Sequence, residues 1–160
     1  MNKPGHPAPP FAPASPPYEL DVYGWAQAQA QLLRERRFED VDLDNIIEEI
    51  ESVGRSEYDA LESALRVLLV HLLKWEHQPA FRSRSWLNTI REQHRQYRRR
   101  LDRNPGLRQH LDEIRAEAYR RARVQAEAET GLSIDSFAGD PPGWNAIENP
   151  PVSEADVAER

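Results

Sequence analysis

Three sets of side chains in this sequence have the types and spacing that a reaction or a ligand would need. The first joins His71 and His77 with the carboxylates Glu48 and Glu51. A helical zinc pair places two histidines four residues apart on one face, and these two are six apart. The chain has no His-Glu-x-x-His, and none of the Glu-x-x-His pairs that mark di-iron bundles. A histidine alone in an apolar run is ordinarily a core residue with its hydrogen bond satisfied, so no metal is expected. Glu48 and Glu51 share a helix face at i, i+3. All-helical, magnesium-dependent nucleotide pyrophosphatases hold metal and phosphate on such carboxylates, because Mg²⁺ takes oxygen ligands. Their second acidic pair has a spacing this chain does not reproduce.

The second set is the run Arg82-Ser83-Arg84-Ser85-Trp86. Arg82, Arg84 and Ser85 at a helix N-terminus would bind an anionic group, and Trp86 would add a stacking surface. The structural alternative uses the same residues. The serines cap a helix, Trp86 packs on its neighbour, and Arg82 and Arg84 pair with Glu48, Glu51 or Glu76. The third set is Arg91, Arg95, Arg98 and Arg99, a candidate face for a nucleic-acid backbone. Against it stand an acidic pI near 5.4 and the absence of any helix-turn-helix, zinc-finger or aromatic RNA-binding motif.

Charge is polarised along the chain. Glu39 to Glu62 carries ten acids against the single Arg55, whereas Arg82 to Arg123 carries thirteen arginines against five acids. Either the two segments face each other and cancel, or the basic face lies bare for a polyanion. The first is the expected arrangement, since opposite charge on neighbouring helices fixes packing order. There is no cysteine, which excludes disulfides, cysteine-bound metals and thiol catalysis. Scattered glycines leave no phosphate loop, and no Gly-x-Ser-x-Gly occurs, so neither cofactor nor nucleophile is expected. The N-terminus lacks the apolar stretch of a signal peptide, and no run reaches the roughly 18 apolar residues of a membrane span. A cytoplasmic protein is expected.

The elements that must position these groups are helical. Arg66 to Trp75 is apolar at every position from Val67 to Leu73 except His71. A helix apolar almost all round belongs inside a bundle. Around it the periodicity predicts an all-α fold, a compact bundle of four main helices in which the second is long. The first runs from Tyr18 or Asp21 to Arg37, with Asp21 as N-cap. The second opens at Asp42 or Asp44 and carries Ile46, Ile50, Val53, Glu57, Leu61, Ala64, Leu68, Leu72 and Trp75 on one face. It either continues through Gly54 for about 50 Å or breaks there, and the unbroken phase favours continuity. The third runs from Ser83 or Ser85 to Arg103 on a stripe of Trp86, Leu87, Ile90, His94, Tyr97 and Leu101. The fourth runs from Pro105 to Thr130 with Leu107, Leu111, Ile114, Ala118, Ala122 and Val124 inward, and Gly131 as its C-cap. Leu132, Ile134, Phe137 and Trp144 are expected to fold back as a flap. Residues 1–17, with seven prolines, form a disordered tail, 18–144 the helical domain, and 145–160 a flexible acidic tail.

These residues carry a resemblance. Tyr18-Glu-Leu-Asp-Val-Tyr-Gly-Trp25, the run from Leu43 to Ser56, His71-Leu-Leu-Lys-Trp75, Gln78-Pro79, Arg82 to Trp86, Thr89-Ile90 and Glu129-Thr-Gly-Leu132 stand in the order seen in the domain-of-unknown-function-29 family. The chain resembles that family from Tyr18 to Trp144. The resemblance implies a compact, all-helical domain of bacterial origin and implies no activity.

With no catalytic set standing out, the expected function is a non-enzymatic protein-interaction or adaptor module. Its partner would be another protein or a second copy, engaged through an exposed helix face. A nucleic-acid or nucleotide-phosphate binder is the alternative, and a metal-dependent phosphohydrolase on helical carboxylates the third reading.

Overall fold

In this computed structural model the structure describes residues 15–157. Four long helices carry the chain: α1 (Val22–Arg34), α2 (Leu43–His77), α3 (Arg84–Arg103) and α4 (Leu111–Thr130), followed by the short α5 (Trp144–Glu148). No strand occurs among the described residues. The expected all-α class is what the chain adopts. It divides into two compact units whose boundary falls inside α2, between Ser52 and Val53.

The first unit pairs α1 with the opening of α2. Asp21 caps α1 by accepting from the Gly24 amide at 2.8 Å. The helix stops three residues short of the expected Arg37. Arg36 takes a left-handed φ of 58°, the Arg37 amide bonds back to Leu32 O and the Arg36 amide to Leu33 O. This is a Schellman ending, with an arginine where glycine is favoured. The centre of the unit is largely polar. Trp25 and Gln29 are its buried residues on α1, and both reach Asp42. The indole Nε1 donates to Asp42 Oδ2 at 3.0 Å, and Gln29 Oε1 accepts from the Asp42 amide at 2.9 Å. Tyr18 packs edge-on against Trp25 and donates to Glu49 Oε1 at 2.5 Å.

α2 runs unbroken through Gly54, so the continuous-helix reading holds. A Cβ built at Gly54 meets nothing within 4 Å, so no close packing calls for a glycine there. The predicted apolar face is buried only in its second half. Ile50 and Val53 are 67% and 66% exposed. From Leu61 to Trp75 no residue is exposed, which is the environment an all-round apolar helix requires.

The second unit is built on that segment. Leu61, Leu65, Leu68, Leu69 and Leu73 meet Leu87, Ile90, Tyr97 and Leu101 of α3 and Ile114, Ala118, Tyr119, Ala122 and Ala126 of α4 in one core. Three alanines on α4 let its backbone approach closely. Ser83 caps α3, and Gly131, at φ 72°, closes α4 by bonding Glu127 O. Two expectations are corrected here. A 3₁₀ segment occupies Pro105–His110, so α4 begins only at Leu111. Val124, assigned inward, is 54% exposed, and Tyr119 and Ala126 face the core instead.

Leu132, Phe137 and Trp144 fold back on the core as expected, and the segment after them differs from expectation. Phe137 and Ile147 are buried, and Val152 and Val157 pack against the core. A capping box at Ser153 and Asp156 starts a further 3₁₀ turn. Trp144 stacks on Tyr97 at 6.3 Å and donates to Asp112. Tyr97 in turn donates to Glu148 Oε1 at 2.9 Å, and burial, followed by that carboxylate, pushes its pKa up. In its described part, the segment read as a flexible tail is pinned by these contacts.

Candidate functional site

The Arg82–Trp86 turn does not converge on one point. Arg82 folds inward: its Nε donates to Trp75 O at 2.8 Å, its guanidinium lies 5.3 Å from the Trp75 ring centre, and a terminal nitrogen comes within 4.0 Å of Asp156. Ser83, rather than Ser85, accepts the Trp86 amide at 3.3 Å, while the Ser85 carbonyl takes the Thr89 hydroxyl. Trp86 packs against the core under Lys74 Nζ, 4.6 Å from its ring centre. Arg84 and Ser85 face outward on a shallow surface with Asn88, Thr89, Glu92 and Gln93. Where the sequence offered Glu48, Glu51 or Glu76 as a partner, Arg82 is held by a backbone carbonyl and Asp156. Beside Arg82 opens a cleft of about 500 Å³ lined by Leu69, Leu72, Trp75, Tyr119 and Val152, with Glu76 and Asp140 also on its wall. Its size and apolar lining suit a small ligand. Its wall carries one cation, Arg82, and two carboxylates, Glu76 and Asp140.

The polar residues grouped as Glu48, Glu51, His71 and His77 have separate surroundings. Glu48 and Glu51 stand in the first turns of α2 and belong to the first unit. His71 Nδ1 lies 3.0 Å from Val67 O, and burial, the largest influence, pushes its pKa down and keeps the ring neutral. His77 meets Phe137 edge-on at 5.1 Å. Among the described residues no group of three or more His, Asp or Glu side chains could hold a metal ion.

The arginine face is largely neutralised by this chain's own carboxylates. Arg91 pairs with Glu154 at 3.0 Å, Arg95 with Glu92 at 2.5 Å and Arg98 with Glu148 at 3.6 Å. Arg99 lines an indentation with Glu57, Gln96, Arg100 and Arg103. Elsewhere in the second unit acidic and basic segments meet directly: Arg100 with Glu57 at 3.8 Å and Arg121 with Glu62 at 3.7 Å. Arg120, first, and Arg121 hold the Glu117 carboxyl down at about 2.

Of the face read from the sequence as one apolar side of α2, Ile50 and Val53 are exposed, and Leu43 and Ile47, which the sequence reading did not single out, are exposed beside them. In the first unit Leu43, Ile47 and Ile50 are 60%, 46% and 67% exposed. Their spacing of four and three places them on one stripe of α2, within about 60° of each other. Asp44 and Glu48 follow on one flank, about 100–140° round the helix from Leu43, both exposed. Leu20, Tyr23 and Phe38 of the same unit are exposed as well. The signal was present in the sequence. An apolar residue once per turn among dense acids, before the all-round apolar run begins, marks a helix with one sticky face and a strongly solvated remainder.

These elements define an all-α protein with four long helices. Residues 17–146 match the family model described as Domain of unknown function DUF29, and the chain belongs to that family. No curated protein and no solved structure matches it. Among the described residues no helix is long and apolar enough to cross a membrane.

Proposed function

We propose that the chain is a non-enzymatic protein-interaction module whose contact surface is the apolar stripe of Leu43, Ile47 and Ile50. The observation that carries this reading is their exposure on a helix that has no exposed residue from Leu61 to Trp75. Large apolar side chains on one helical stripe lose hydration cost when another surface covers them, at about 25 cal/mol per Å². Contiguous exposed apolar surface of this kind marks binding sites on folded proteins. The nucleic-acid alternative draws less support, because Arg91, Arg95 and Arg98 already hold carboxylates that a phosphate would have to displace. The test is a paired capture from the native host with the wild-type chain and an Ile47→Asp/Ile50→Asp variant. The expected result is a discrete protein held by the wild type and lost by the variant. Equal recovery by both would contradict the reading.

A further inference from the structure

Resting on that reading, we infer that the occupant of the stripe is a basic amphipathic helix of another protein. It would be apolar at every third or fourth residue, with Lys or Arg where it meets Asp44 and Glu48. Three features lead there. The stripe has the four–three spacing with which one helix receives the apolar seam of a second. Its flank is acidic at Asp44 and Glu48, and the ten residues Leu43 to Ser52 contain no cation. The first unit adds Glu39 beside the exposed Phe38, while Asp40 is held by Arg37 at 2.7 Å.

The missing cation also argues against a second copy. In a two-fold antiparallel pairing of this stripe, each flank meets its own image, so Asp44 and Glu48 would oppose Glu48 and Asp44. In a parallel pairing they would meet the opposite flank, where Glu49 holds the Tyr18 hydroxyl. Within Leu43–Ser52 neither arrangement supplies a positive charge, and like charges across an interface select against it. A basic helix satisfies the apolar stripe and the acidic flank together.

The experiment uses the full chain and two synthetic helical peptides that share one apolar heptad, the first with Lys on its flanks and the second with Glu. Binding is read by fluorescence anisotropy at low and high salt. The Lys peptide should bind at least about tenfold more tightly than the Glu peptide, and added salt should weaken it. Ile47→Asp/Ile50→Asp should weaken the Lys peptide by a similar factor, and Asp44→Lys/Glu48→Lys should reverse the preference. All four positions are exposed, so circular dichroism should show the helices unchanged. Lys-peptide binding that ignores both variants would overturn the assignment. If neither peptide binds and sedimentation shows a dimer dissolved by Ile47→Asp/Ile50→Asp, the basic-helix assignment fails while the interaction reading stands. If neither binds, the chain is monomeric and the variant captures what the wild type captures, both fail.

Discussion

The two units use their apolar residues in opposite ways, although one helix runs through both. In the second unit Leu61, Leu65, Leu68 and Val70 are fully buried, and even the chain beyond α5 contributes Val152 and Val157 to the core. In the first unit Trp25 and Gln29 are buried around a hydrogen-bonded Asp42, while Leu20, Tyr23, Phe38, Leu43, Ile47 and Ile50 are exposed. A folded core of leucines needs nothing more to cover it. A polar hub with large apolar side chains outside it has stabilisation still to gain from contact. The comparison teaches that helix continuity and tertiary completeness are separate properties: α2 has the first along its whole length and the second only from Leu61 onward.

The contrast can be broken most forcefully by truncating side chains on either side of it. Leu65→Ala removes a fully buried side chain and should cost about 2–5 kcal/mol in urea unfolding. Ile50→Ala should stay within about 0.5 kcal/mol. Comparable losses at the two positions would remove the distinction. Next in size is Trp25→Phe, which keeps a ring against Tyr18 but takes the indole donor from Asp42. It should cost about 1–3 kcal/mol, read as faster amide exchange in α1 with the second unit unaffected.

A gain of about 1 kcal/mol is expected from Arg36→Gly, which places the permissive residue at the left-handed position of the Schellman ending. A raised Tm would confirm it. The smallest effect is a pH dependence. The hydrogen bond to Glu49, the largest influence, raises the Tyr18 pKa from 10.0 to about 12. The folded state therefore holds this proton more tightly than the unfolded chain. The resulting stabilisation is fully present below pH 10 and is lost as pH rises through about 12. Tyr18→Phe should abolish that portion of the alkaline loss, followed by far-ultraviolet circular dichroism between pH 9 and pH 12.

Much of the fold was legible in the sequence where local chemistry decides the outcome. Asp21, Ser83 and Gly131 announce helix ends because capping is settled within a few residues, and the run from Val67 to Leu73 announces burial because it has no polar side to present. What lay beyond the sequence depends on partners distant in the chain. Periodicity shows that Ile46, Ile50 and Val53 share a face, but not whether anything covers it. Arg36 carries no glycine-like signal, so the early end of α1 could not be anticipated. The candidate site was legible as residue types and not as contacts. Arg82 is anchored by the Trp75 carbonyl and by Asp156, a residue placed in a tail, and the aligned arginines of α3 find carboxylates at Glu148 and Glu154 in the same segment.

Amide hydrogen exchange along α2, with and without the Lys-flanked peptide, bears most directly on the account. Amides from Leu61 to Trp75 should exchange slowest, those from Leu43 to Ser52 faster on the order of a hundredfold, and the peptide should slow only the latter. Uniform protection along the whole helix, unchanged by the peptide, would contradict it.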